Sequence, residues 1–178
     1  MTTKKFDLQT WLANTGRDVR RDGERIRSVA VRRHFDAPIE RVWTAWVEGW
    51  KTKIARGEPR PGETVELDLG GPTRVTCKIL ACEAPTLLAV TWVYGEPTEM
   101  KPDEVTVRMS SVGDRTLLEL EHRSEAGATW APGVGAGWEA GILMFELMLE
   151  GGDLSVWPET HAPLDKLWVD FVGEKAAS

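Results

Sequence analysis

The stretch Val31-Arg-Arg-His-Phe-Asp-Ala-Pro-Ile-Glu-Arg-Val-Trp-Thr-Ala-Trp46 decides how the rest of the chain is read. It begins as a strand. Side chains alternate along extended backbone, so Val29, Val31, Arg33 and Phe35 share one face. The strand breaks at Ala37-Pro38, and proline suits the first turn of a helix, where its missing N–H leaves no bond unmade. Beyond it, Ile39, Val42, Trp43, Trp46, Val47 and Trp50 recur at the three- and four-residue spacing of a single helix face. Three tryptophans on one stripe need a wide apolar partner, such as a curved sheet.

Such a sheet is written downstream. Between Thr64 and Arg123, β-prone runs alternate with turn residues. The expected strands are Thr64–Leu69, Thr73–Glu83, Leu87–Tyr94, Glu104–Val112 and Arg115–Arg123. They are separated by Gly70-Gly-Pro, Ala84-Pro-Thr, Gly95-Glu-Pro-Thr and Gly113-Asp. Consecutive hairpins of this kind build an antiparallel sheet. In two strands the alternation is plain: Val105, Val107 and Met109 oppose Thr106, Arg108 and Ser110, and Leu118, Leu120 and His122 oppose Glu119, Glu121 and Arg123.

Upstream, a short helix is expected over Phe6–Leu12, and Asp22-Gly23 marks a tight turn. That turn would pair a strand at about residues 17–21 with the strand ending at Phe35. The segment from Ile54 to Gly62 reads as a loop. Gly133-Val-Gly-Ala-Gly137 lacks the glycine spacing and βαβ setting of a dinucleotide fingerprint, and reads as a loose hinge. A long helix follows from Trp138 to Glu150, charged only at Glu139, Glu146 and Glu150; Glu139 and Glu146 are read as solvated or capping groups, with an inward position as the alternative. A helix so apolar needs cover on two sides. The sheet supplies one. The other falls to a dimer partner or to a short tail helix with Leu164, Leu167, Trp168, Phe171 and Val172 on one stripe and Gly173 as its stop.

The 178 residues suit a single domain. A net charge of −6 without a basic run gives no footprint for nucleic acid or for an anionic membrane surface. The N-terminus lacks the apolar core of a secretory signal, and no run is long enough to span a bilayer, so a cytoplasmic location is expected. Cys77 and Cys82, at odd separation on one strand, should face opposite ways and stay unbridged. His34, His122 and His161 are too scattered for a metal site, and no cofactor motif is present. Nine tryptophans beside one tyrosine suit a large core, and also the lining of a pocket for apolar or aromatic molecules.

The order strand, Pro-initiated Trp helix, β-meander, Gly-Trp and long helix resembles the helix-grip fold of the START-like (SRPBCC) superfamily. Within it, the chain looks like the branch of heat-shock protein 90 ATPase activator homologues. The residues that carry the likeness are Arg33-His-Phe35-Asp-Ala37-Pro38, Val42-Trp43, Ala45-Trp46, Arg60-Pro-Gly62, Leu88-Ala-Val-Thr-Trp92, Val105-Thr-Val, Leu118-Glu-Leu-Glu-His122 and Gly137-Trp138. It extends over about residues 26–151, leaving 1–25 and 152–178 as extensions. One departure is Trp50-Lys-Thr-Lys, which stands where the branch carries a Trp-Trp-Gly-Pro-like segment. The resemblance implies an α+β fold, a curved antiparallel sheet wrapped around a long C-terminal helix, with a cavity between them.

Inward faces then nominate the lining: Val31, Arg33, Phe35, Trp43, Trp46, Trp92, Val107, Met109, Leu120, His122, Ile142 and Phe145. A mostly apolar wall with few polar groups suits a hydrophobic or aromatic small molecule. An inward Arg33 must be paired or wet, with Glu146 as one partner or exposure at a frayed sheet end as the other outcome. His122 is either a core histidine satisfied by a backbone bond or a group that orients a ligand. Three functions are in view. The first is binding of an apolar small molecule without defined catalysis. The second, implied by the resemblance, is a co-chaperone module acting on the 90-kDa chaperone. The third is an aromatase/cyclase-type enzyme using Arg33 or His122, by analogy with the superfamily.

Overall fold

The computed structural model describes residues 7–71, 74–95, 101–125, 128–152 and 157–174. Phe6, Pro72-Thr73 and the Glu96-Pro-Thr part of the expected turn after Gly95 lie outside the described residues.

Helix α1 (Leu8–Ala13) is capped by Asp7, whose carboxylate accepts from the Gln9 and Thr10 amides. Strands β1 (Gly16–Asp22) and β2 (Arg25–Phe35) form a hairpin, with Gly23 at φ 59° in the turn. Helix α2 (Ile39–Lys51) follows directly. Pro38 sits at its N-cap, and the Pro38 carbonyl accepts from the Arg41 and Val42 amides, both at 3.1 Å. The buried Thr116 hydroxyl donates to the Ala37 carbonyl at 2.7 Å and pins the break between strand and helix to the sheet.

The meander comprises β3 (Ile54–Arg56), β4 (Thr64–Leu67), β5 (Val75–Glu83), β6 (Leu87–Tyr94), β7 (Asp103–Val112) and β8 (Arg115–Arg123). All pairings are antiparallel, in the order β1-β2-β8-β7-β6-β5-β4-β3. The short β3 corrects the reading of residues 54–62 as loop throughout; its hydrogen bonds to β4 come from tertiary pairing that a three-residue run cannot announce.

Helix α3 (Ala131–Glu150) is longer than expected at its start. Pro132 opens it, and the glycine-rich stretch read as a hinge is helical throughout. Helix α4 (Trp157–Glu174) is likewise long rather than short, and it continues past Gly173 instead of stopping there. It lies along α3 and provides the second cover that the apolar helix needs. Leu164 and Trp168 are fully buried in that contact. The result is the helix-grip architecture: a curved antiparallel sheet holding α3, with α2 closing one end.

Candidate functional site

Among the described residues, the concave face of the sheet borders a small cavity. Val65, Cys77, Val90, Val105 and Val107, among other sheet residues, meet Trp46 and Trp50 of α2 and Trp138 of α3 around a cavity of about 100 Å³. Ligand sites commonly measure about 300–1,000 Å³. Tryptophan rings have filled most of the space that the fold leaves.

The larger space is an open groove of about 830 Å³ on the far side of the same rings. One wall is α2, through Ala45 and Gly49. The floor is α3, through Gly133, Gly137 and Gly141 and then Met144 and Met148. Leu69 and Tyr94 form the rim. On α3 the groove residues from Gly133 to Met148 fall within an arc of roughly 140°, one face of the helix. Trp46, Trp50, Trp92 and Trp138 border both spaces and so form the partition between them. Their rings interlock, with centroids 4.9 Å apart for Trp92 and Trp138, 5.8 Å for Trp50 and Trp92, and 6.0 Å for Trp50 and Trp138. Trp46 and Trp92 are each 4% exposed, and neither indole N–H has an acceptor among the described residues. A buried donor left without a partner is destabilising unless something outside the chain accepts from it.

The structure thus divides the residues nominated by sequence. Trp46, Trp92 and Val107 stand on the cavity wall, and Phe145 lines the groove beside Trp46, ring centroids 5.0 Å apart. Val31, Phe35, Trp43, Met109, Leu120 and Ile142 are buried in the packed core and line neither space. They lie where α2 and α3 press on β2, β7 and β8, so an inward side chain there meets a helix.

Arg33 is engaged elsewhere too. Its Nε and Nη2 donate to the two oxygens of Glu146, at 2.8 and 2.9 Å, and its guanidinium lies 4.8 Å from the centre of the Trp11 ring. His122 is fully buried. The Trp138 indole N–H, which can only donate, reaches Nδ1 at 2.9 Å. The ring proton therefore sits on Nε2, which donates to Asp103 at 3.0 Å. Both nitrogens are committed to side chains, where the sequence suggested a backbone bond.

The family profile described as Activator of Hsp90 ATPase homolog 1-like protein matches residues 36–150. The chain belongs to this family. Among solved structures, CalU16 from Micromonospora echinospora is 29% identical, with a TM-score of 0.71, over 89% of this chain and 98% of that one. A protein of Bordetella parapertussis is 27% identical, with a TM-score of 0.63 and 94% of each chain covered. An HSP90 activator from Plasmodium falciparum, 18% identical at a TM-score of 0.56 over 70% of this chain and 96% of that one, shares the fold. No curated protein matches the chain significantly in sequence.

The Arg33–Glu146 pair is one the sequence reading named, but other features escaped it. Neither Glu139 nor Glu146 is solvated. Glu139 is fully buried, paired with Arg17 through both carboxylate oxygens, and it accepts from the Trp168 indole at 2.7 Å. Glu146 takes Arg33 and the Trp11 indole at 2.6 Å. Two Arg–Glu–Trp triads, one heptad apart on α3, therefore tie both terminal extensions to the family core. Cys77 and Cys82 also share one face. A register shift between Ile79 and Ala81 reverses the alternation, and both sulfur-bearing residues border the inner cavity, unbridged. Gly133, Gly137 and Gly141 carried the one available signal for the groove, a four-residue glycine repeat inside an apolar stretch. Among the described residues, no three His, Cys, Asp or Glu converge as a metal requires, and no helix is long and apolar enough to cross a membrane.

Proposed function

We propose that this protein binds an apolar small molecule, and that the site is the open groove between α2 and α3. One observation carries the reading: a groove of about 830 Å³, walled by tryptophan, methionine and bare helix backbone, adjoins two buried indoles, Trp46 and Trp92, whose N–H groups have no acceptor among the described residues. The volume lies inside the usual range for ligand sites, and a mostly apolar wall with a few polar donors is their usual makeup. The inner cavity is too small to hold more than a few atoms unless the tryptophan partition moves.

The test uses 1-anilinonaphthalene-8-sulfonate as probe. The parent protein should bind one dye per chain with a rise and blue shift of emission. Gly141→Trp, placed where an added side chain meets open space, should fill the groove and abolish the signal with the far-UV spectrum unchanged. Undiminished dye binding by that variant would reject the groove as the site.

Family membership favours a second reading, a module that stimulates the ATPase of a 90-kDa chaperone. It predicts a rise in chaperone turnover on adding the protein, unaffected by Gly141→Trp. Unchanged turnover at saturating protein would end it.

A further inference from the structure

The floor of the groove is bare, and packing gives no cause for it. A Cβ added at Gly133, Gly137 or Gly141 meets no heavy atom of the described residues within 4 Å. Gly135, on the other flank of α3, behaves differently: its Cβ would lie 2.6 Å from Cζ3 of Trp168, so docking of α4 requires glycine there. Glycine is the least favourable residue after proline in a helix interior. Three glycines facing open space weaken α3 and return nothing to the fold. What the missing Cβ permits is close approach of another body to the backbone.

Two further observations say what that body is like. The wall beside the glycines is built of flat rings, Trp50, Trp92 and Trp138, packed within 6.0 Å of one another. The Trp46 and Trp92 indoles, which border the groove, each hold a buried N–H without a partner among the described residues. We infer that the ligand is a flat, fused-ring aromatic molecule carrying an oxygen acceptor, an inference that rests on the groove reading above. One face of the rings lies on the glycine surface of α3, the tryptophans stack or meet it edge-on, and a tilt of the Trp46 or Trp92 ring on binding brings its N–H to the ligand oxygen. An alkyl chain could fill the same volume. It would lose rotamer freedom on binding and gain no aromatic contact.

Three probes separate these features: 9-fluorenone, with fused rings and a carbonyl; fluorene, with the same rings and no oxygen; and 1-dodecanol, a chain with an oxygen. Each is titrated into the full-length protein while ¹H–¹⁵N spectra follow the indole N–H signals and the α3 amides. Fluorenone should bind about tenfold more tightly than dodecanol, the scale of one good aromatic stack. It should move the Trp46 or Trp92 indole signal downfield, and fluorene should bind without that downfield shift. Gly137→Ala should weaken fluorenone about tenfold by raising the floor, yet also raise the melting temperature through helix propensity. A purely structural glycine would shift the melting temperature and leave affinity alone.

Dodecanol binding as tightly as fluorenone, with Gly137→Ala indifferent to both, would overturn the ring inference and leave the groove reading standing. If none of the three probes moves a groove signal, the groove reading and this inference fall together.

Discussion

Removing the Glu139 carboxylate should be the most damaging single change on α3. The group is fully buried, and Arg17, its partner, has a side chain only 13% exposed. Glu139→Ala would leave a guanidinium without its counter-charge and the Trp168 N–H without an acceptor. Breaking a buried pair from one side destabilises by about 3–5 kcal/mol, because the remaining charge stays desolvated. The orphaned indole adds about 1 kcal/mol or more. Against a total stability of about 5–15 kcal/mol, that is a large share. For a chain of this size it corresponds to a fall in Tm of roughly 8–24 °C.

The assay is urea unfolding followed by far-UV circular dichroism and tryptophan emission, run on Glu139→Ala and on a cycle of Glu139→Leu, Arg17→Met and their double variant. Removing both charges relieves the stranded guanidinium, so Arg17→Met/Glu139→Leu should recover most of the loss, short by the unpaired Trp168 N–H. Hydrogen exchange should show α4 opening first in Glu139→Ala, since Trp168 anchors it through this carboxylate. A Glu139→Ala variant within about 1 kcal/mol of the parent, with α4 protection unchanged, would refute the triad as a source of stability.

Two further outcomes follow from titrating groups. Glu121 has its carboxyl held below the ordinary 4.5: burial alone would raise it, but the Ser28 hydroxyl, Arg123 and Arg20 outweigh that. Its stabilisation is therefore complete above the ordinary carboxylate range and is lost as pH falls through the lowered folded-state value. Thermal melts of Glu121→Gln should consequently show a shallower loss of Tm on acidification below about pH 4.5 than the parent, and parallel curves would contradict the assignment. Cys77 has its thiol pushed up to about 12 by burial, whereas Cys82 is exposed. A disulfide-exchange reagent such as 5,5′-dithiobis(2-nitrobenzoate) should react promptly with one thiol per native chain and with the second only after unfolding. Prompt release of both would show that the cavity wall around Cys77 opens in solution.

The fold was legible because it rests on local signals. Proline at Pro38, the apolar stripe of α2, the alternation in β7 and β8 and the turn glycines each act within a few residues, and all point one way. The family likeness drew on the same local features. The glycine run before Trp138 misled, because glycine is a poor helix former on propensity. Only the docking of α4 explains Gly135, and only the groove gives Gly133, Gly137 and Gly141 a use.

Inward faces could be read from strand parity and helix periodicity, and they named Trp46, Trp92 and Val107 alongside Met109, Leu120 and Ile142 without separating them. Parity fixes which side of the sheet a residue takes, but not whether a helix lies over it. That depends on where α2 and α3 cross eight strands, a long-range outcome of packing volumes. The same holds for charge. A glutamate in an apolar helix looks solvated until Arg17, more than a hundred residues away, arrives beside it. The sequence determined the elements, their order and the apolar faces, since propensity and periodicity are local. The tertiary structure alone decided which faces meet, which tryptophans divide cavity from groove, and which buried donors are left without a partner among the described residues, since each depends on contacts between residues far apart in the chain.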